Sequence, residues 1–133
     1  MAAPAREDFE MAAALSDLTG WLIQQGLENT AVERWLESFC ERIVAAGIPI
    51  TRMNITKRAH HPEIGSVAFR WHRSTGQERH EYQRMDEAPD DYLRSPIYHL
   101  VTNQMMELRQ RLQDPEPKYD FPIFDDLREK GAT

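Results

Sequence analysis

At 133 residues the chain is long enough to bury a real core as one domain and too short for two. Its net charge of −6, from 22 acidic against 16 basic residues with no lysine/arginine block, argues against nucleic acid and an anionic membrane as partners, because both demand a positive field. The single cysteine excludes an internal disulfide, no run approaches the roughly 20 apolar residues that span a bilayer, and MAAPAREDFE lacks the apolar core of a signal peptide. Cys40 falls among apolar residues, where a thiol acts as a small hydrophobe, so a reducing cytoplasm is the expected compartment.

Residues 1–8 are small and charged and are expected to fray, leaving 9–133 as a single domain. From Phe9 to Gln25 the spacing predicts a helix. Met11, Leu15, Leu18 and Leu22 alternate four and three apart, with Trp21 and Ile23 beside them. That stripe either covers part of the core or forms a seam between two copies. Gly20 inside it costs about 1 kcal/mol of helix stability, and Gly26 is the expected stop.

Thr30 to Gly47 is the most one-sided stretch. Val32, Trp35, Leu36, Phe39, Cys40, Ile43 and Val44 make one broad apolar stripe, while Glu33, Arg34, Glu37, Ser38, Glu41 and Arg42 fill the opposite face. Thr30 with Glu33 reads as a capping box, and Gly47 with Pro49 supplies the stop. A helix this one-sided must lie on something, and the next stretch of chain reads as sheet. Ile48 to Arg58 is rich in β-branched residues, and its apolar phase slips between Ile50 and Met53, which predicts a bulge or bend near Thr51-Arg52.

After a connection at 60–65, Ser66–Arg73 and Gln77–Met85 read as a hairpin turning at Thr75-Gly76. That turn places Trp71 opposite His80, Phe69 opposite Tyr82 and Arg70 opposite Glu81. An acidic loop spans Asp86–Asp91, and Ser95-Pro96 reads as the cap and first residue of a short helix carrying Ile97, Leu100 and Val101. Met105–Leu112 fits alternation through Met106, Leu108 and Leu112 as well as helical spacing through Met105, Leu108 and Leu112; the strand is preferred. Asp114-Pro-Glu-Pro is a break. Pro122 to Lys130 predicts a last helix burying Ile123, Phe124 and Leu127 and stopped by Gly131. The expected fold class is α+β, with two N-terminal helices packed on a three- to four-stranded antiparallel sheet.

No phosphate-cradling glycine loop, HExxH zinc pair, nucleophile elbow or paired-cysteine metal motif occurs, so no catalytic residue, metal or cofactor is expected and no activity from this chain alone. His60-His61 with Glu63 offers metal-type ligands, but adjacent histidines on a loop are read as solvated, and His72 as a surface residue. His80, placed beside Trp71, is either a satisfied core histidine or a polar contact in a ligand pocket. Tyr98 and His99 are the residues of SPIYHL that can line a cavity at the sheet's edge. Trp71, His80, Tyr82, Tyr98 and His99 are therefore the candidate ligand-binding residues.

The blocks WLIQQGL (Trp21 to Leu27), ERWLESFCERIVAAGIPITRMNI, FRW (Phe69 to Trp71), LRSPIYHLV (Leu93 to Val101), ELRQRL and YDFPIFDDLREKGAT carry a resemblance that covers nearly the whole chain after residue 10. Their order and spacing resemble the N-terminal region of bacterial class III adenylate/guanylate cyclases of the alphaproteobacterial kind. There the region precedes the cyclase domain and is similar to a GAF/PAS sensory module. The resemblance implies a cytoplasmic regulatory input domain for signal transduction through cAMP, partnered by a downstream cyclase domain and acting as a homodimer. The metal-binding aspartates and purine-selecting residues of the cyclase domain have no counterpart here, so the resemblance places no cyclase activity in these 133 residues. The family region would continue past Gly131-Ala-Thr into further strands, which implies a fragment whose sheet lacks an edge. Two other readings stand beside this one. They are a ligand-free dimerisation module built on the Met11-Leu15-Leu18-Leu22 stripe, and a stand-alone protein that binds an unidentified small molecule.

Overall fold

The computed structural model describes residues 6–133, which form two units, one ending at Arg84 and the other spanning Met85–Thr133. In the first unit helix α1 (Arg6–Leu27) and helix α2 (Val32–Ala45) precede strands β1 (Arg52–Arg58), β2 (Ile64–His72) and β3 (Gly76–Gln83). The strands pair antiparallel in the order β1-β2-β3, so the α+β arrangement of two helices and an antiparallel sheet stands, with three strands.

The apolar stripe of α2 is what seals the sheet. Leu36 and Cys40, one turn apart, are 0% exposed and pack with Val67, Phe69 and Trp71 of β2. Met53 and Ile55 of β1 flank that cluster, and the Cys40 thiol lies 3.8 Å from the Met53 sulfur. Burying a leucine this completely contributes about 1.5–3 kcal/mol, and Trp35 and Phe39 add an edge-to-face pair at 6.2 Å along the same helix.

The helix ends explain where the chain turns. At the end of α2 Gly47 adopts φ +96°, its N–H donates to Val44 O at 3.0 Å, and the Ile48 N–H donates to Ile43 O at 3.2 Å. This double closure satisfies carbonyls the helix would otherwise leave free. The end of α1 departs from the expectation. Gly26 stays inside the helix, and Asn29 at φ 52° is the left-handed residue, with Thr30 N donating to Gln25 O at 3.0 Å. Helix α2 starts at Val32, one residue later than a Thr30 cap requires. The N-cap is Ala31 with no side-chain bond, so the predicted capping box is not formed, and Glu33 instead reaches Arg79 at 3.6 Å.

Of the residues expected to fray, 1–5 lie outside the described residues and Arg6, Glu7 and Asp8 form the first turn of α1. The Met11-Leu15-Leu18-Leu22 stripe faces α2. Leu18 is buried, Met11 lies against Gly47, and the Arg42 guanidinium sits 4.5 Å over the Trp21 ring.

Strand β1 begins only at Arg52. The preceding turn is held by Arg73, whose side chain donates to Ile50 O and whose N–H donates to Thr51 O. The phase slip is thus a bend that leads into the strand. The bulge is in β2, at Gly65 between Ile64 and Ser66, where a side chain would press on the Arg84 backbone at 3.2 Å.

The hairpin differs from its predicted register. His72 pairs with Gly76 around a three-residue loop, Arg73 to Thr75, closed by Thr75 N donating to His72 O, with Gly76 at φ +79°. A tight turn followed by a left-handed residue, here Gly76 at the start of β3, is a common hairpin closure. It pairs Trp71 with Gln77, Arg70 with Glu78, Ala68 with His80 and Ser66 with Tyr82. The pairing is shifted by three residues, and an odd shift turns every β3 side chain to the other face.

The second unit holds three short helices, α3 (Asp90–Leu93), α4 (Pro96–Thr102) and α5 (Pro122–Glu129). Ser95 caps α4 as expected, its hydroxyl accepting from Tyr98 N at 3.2 Å. Gly131 ends α5 with φ +85° and the same double closure seen at Gly47. Met105–Leu112 is not a strand; it runs as irregular chain in no sheet. It is held by bonds to remote residues: Arg128 Nε donates to Leu112 O at 2.6 Å, Leu112 N donates to Thr133 O at 2.8 Å, and Tyr119 N donates to the Gln110 amide oxygen at 3.0 Å. Leu112 and Phe124 are the buried apolar residues of this unit. Among the described residues no helix is long and apolar enough to cross a membrane.

Candidate functional site

From Ser66 to His72 the side chains of β2 alternate between two faces. Val67, Phe69 and Trp71 point at α2, while Ser66, Ala68, Arg70 and His72 point away. The hairpin register adds Glu78, His80 and Tyr82 to that outer face, and β1 adds Arg52, Asn54, Thr56 and Arg58. Ala68 on this face is only 1% exposed, and larger groups meet across the patch. Arg70 Nη2 donates to the Tyr82 hydroxyl, and His80 Nε2 lies 2.7 Å from Glu78 Oε2. The Arg70 Nε is buried with no hydrogen-bond partner, an unsatisfied donor of the kind that costs about 1–3 kcal/mol. His72 is occupied by the turn, its Nδ1 accepting from Ser74 N at 3.2 Å.

The five candidate residues are therefore divided. Trp71 is 5% exposed in the core under α2. His80 and Tyr82 lie on the opposite face of the same sheet, so the expected aromatic face of Trp71, His80 and Tyr82 is not formed. Tyr98 and His99 belong to the second unit. There Tyr98 meets Tyr92 edge-on at 5.5 Å, and His99 packs against the rings of Tyr119 at 5.5 Å and Phe121 at 5.6 Å. Asn103 donates to the His99 carbonyl at 2.8 Å. His99 is a member of an aromatic cluster that holds the α4 end to the chain before α5.

Arg70 and Glu78 are the members of the outer cluster that the predicted pairing missed, since it set Arg70 against Glu81. Gly76 does not separate the registers in advance, because a left-handed glycine suits the second place of a two-residue turn as well as the residue that follows a three-residue loop.

Two depressions accompany these groups. In the first unit a groove of about 430 Å³ lies beside the start of α2, bordered by Glu33, Lys57, Phe69 and Arg79. Lys57 Nζ sits 5.6 Å over the Phe69 ring, and Arg79 is held by Glu81 at 2.6 Å. In the second unit a broad depression of about 1210 Å³ is bordered by Arg109, Arg111, Asp114, Glu116 and Lys118.

The outer face, with guanidinium, imidazole, carboxylate and phenol within one patch, can hold a small polar or anionic molecule by hydrogen bonds. Cys40 lies on the other face, where burial first and the neighbouring Glu41 charge second push its thiol up to about 11, far from the reactive thiolate form. Among the described residues no group of three or more histidine, cysteine, aspartate or glutamate side chains is placed to hold a metal ion. No family model, curated protein or solved structure matches this chain.

Proposed function

We propose that this chain is a cytoplasmic sensory or regulatory input domain, GAF/PAS-like in architecture, that governs cAMP synthesis by a class III adenylate cyclase domain downstream of it. The block order from Trp21 to Thr133 supports this reading, and the observation that carries it is the two-faced construction of the first unit. One sheet face is sealed by α2, while the other carries the Arg70, Glu78, His80 and Tyr82 cluster on a rigid support. A sensory domain needs this division, a core that keeps its shape and a polar face whose occupancy can bias the elements attached to it. Class III cyclase sites form between two chains, so the quantity under control is the geometry of a dimer.

The test joins the chain in frame to the catalytic domain of a class III adenylate cyclase and measures cAMP formed from ATP. The expected result is a rate at fixed protein concentration different from that of the catalytic domain alone, and a further change when Arg70→Ala and His80→Ala are introduced together. Equal rates for all three proteins overturn the reading. The dimerisation alternative rests on the Met11-Leu15-Leu18-Leu22 stripe, of which Leu18 is buried while Met11 and Leu15 are each 36% exposed. A small molecule retained by the chain in native mass spectrometry would instead favour the stand-alone binding protein.

A further inference from the structure

Arg70 and Glu78 stand directly opposite each other in the register of β2 and β3, on the sheet face turned away from α2. An arginine and a glutamate so placed ordinarily join. Here they do not. Glu78 turns to His80, its Oε2 lying 2.7 Å from the imidazole Nε2, and Arg70 turns the other way, its Nη2 donating to the Tyr82 hydroxyl. The half-buried Arg70 guanidinium therefore meets a neutral oxygen and forms no ion pair among the described residues. Its Nε is shut from solvent without an acceptor. A cation held in this way is costly unless an anion compensates it.

The Arg70–Tyr82 contact spans the row of Ala68 and carries the guanidinium towards the row in which Arg58, Ser66 and Tyr82 pair. Arg58 is exposed and likewise forms no ion pair among the described residues, and Tyr82 on the far side of Ser66 is 43% exposed. Two guanidinium groups and two hydroxyls thus share one end of this face. The charge of the face runs against that of the chain. Acidic residues outnumber basic ones 22 to 16 overall, yet the outer face carries Arg52, Arg58 and Arg70 against Glu78 alone, and Glu78 is engaged by His80.

We propose that Arg58, Ser66, Arg70 and Tyr82 bind the phosphate group of a small phosphomonoester. A carboxylate offers two oxygens in one plane, which suits a single arginine fork. A phosphomonoester carries close to two charges and three acceptor oxygens spread around phosphorus, so it can take guanidinium groups from two strands together with both hydroxyls. The Tyr82 hydroxyl accepts from Arg70 and keeps its own proton to donate. A small ligand suits the row better than a polyanion or a second copy, because the net charge of −6 repels both over the rest of the surface. The proposal rests on the reading of the outer face as the ligand-bearing one and names the class of ligand. Its test uses the chain alone, so absence of binding would leave the cAMP experiment to judge the regulatory reading. Equal cAMP rates would sink that reading and leave the binding.

The experiment is an NMR titration of the isotope-labelled full chain with inorganic phosphate at about pH 8, where phosphate is a dianion, with chloride holding ionic strength constant. The amide signals of Ser66, Ala68 and Tyr82 are expected to shift and to saturate by about 20 mM, where a site of millimolar affinity is filled. Arg70→Gln and the exposed Arg58→Gln should each weaken binding by about tenfold, the usual worth of one charge-assisted hydrogen bond. Arg34→Gln removes an exposed charge on α2 and should leave the titration unchanged. Shifts that never saturate, or that saturate equally in Arg58→Gln and Arg70→Gln, overturn the proposal. Acetate saturating as tightly as phosphate would make the row a carboxylate site and overturn the choice of phosphate. A dimer by light scattering that phosphate disperses would give the row to an acidic segment of a second copy and overturn the small ligand.

Discussion

The two units are held together by different means. In the first, backbone ladders fix three strands and a single helix stripe covers them, so a few fully buried residues, Leu36 and Cys40 above all, carry the packing. In the second, no strand pairs with another. Short helices and irregular chain are joined by an aromatic cluster and by side chains that reach backbone carbonyls, as Arg128 reaches Leu112. A ladder propagates order along a segment, whereas a side-chain tie orders one point, so the second unit is expected to open more readily than the first.

The sharpest way to break this contrast is at Leu36. Leu36→Ala should destabilise the first unit by about 2–5 kcal/mol, the usual cost of a buried leucine truncated to alanine. Trp21, Trp35 and Trp71 all lie in this unit, so a denaturant titration monitored by tryptophan fluorescence reads it alone. If hydrogen exchange over 110–130 accelerates by the same factor, the two units unfold together and the contrast fails.

Alkaline pH should act on the first unit next most strongly. The folded Cys40 thiol keeps its proton to about 11, while an exposed thiol releases it near 9.0, so deprotonation favours the unfolded chain. The contribution is intact below pH 9 and is lost as pH rises towards 11, roughly 2–3 kcal/mol in all. Melting curves of the wild type and Cys40→Ala at pH 8 and 10.5 check this; parallel losses in both proteins would remove the thiol as the cause.

A smaller effect is expected from Arg128→Ala, which frees the Leu112 carbonyl and costs the second unit about 1–2 kcal/mol. Amide exchange near Leu112 should quicken with the tryptophan transition unmoved. Gln104 ends α4 with φ 53°, a conformation that favours glycine or asparagine. Gln104→Gly should therefore raise stability of the second unit by a few tenths of a kcal/mol, about what remains after glycine's added freedom in the unfolded chain is offset. A loss of stability on this substitution would mean that the Gln104 side chain does more than bear the strain.

The same contrast decides what could be read from the sequence. In the first unit each element announces itself through a repeating pattern: the stripe of α2, the alternation of Val67, Phe69 and Trp71, and the stop at Gly47. The hairpin register was less legible because two registers satisfy the same chemistry. Arg70 finds a glutamate at Glu81 in one and at Glu78 in the other, and only the loop geometry around Gly76 chooses between them. With the register went two of the five candidate residues, since His80 and Tyr82 changed faces while Trp71 stayed in the core. The capping box failed for a related reason. The Thr30 N–H that the Glu33 carboxylate would accept is given to Gln25 O, and α2 starts one residue too late for the Thr30 hydroxyl to cap it. In the second unit the alternation of Met106, Leu108 and Leu112 is real but has no neighbouring strand to join. The bonds that place Leu112 come from Arg128 and Thr133, separations that no local pattern reports.

The order β1-β2-β3 also bears on how quickly the first unit forms. Every pairing in the sheet joins strands adjacent in sequence, through the short connections Ala59–Glu63 and Arg73–Thr75. The chain closes only small loops before its first ladder bonds appear, so little entropy is lost ahead of the enthalpy that rewards it. Leu36 and Cys40 of α2 meet Val67, Phe69 and Trp71 across a longer stretch of chain than either strand connection, so seating the helix closes the larger loop of this unit.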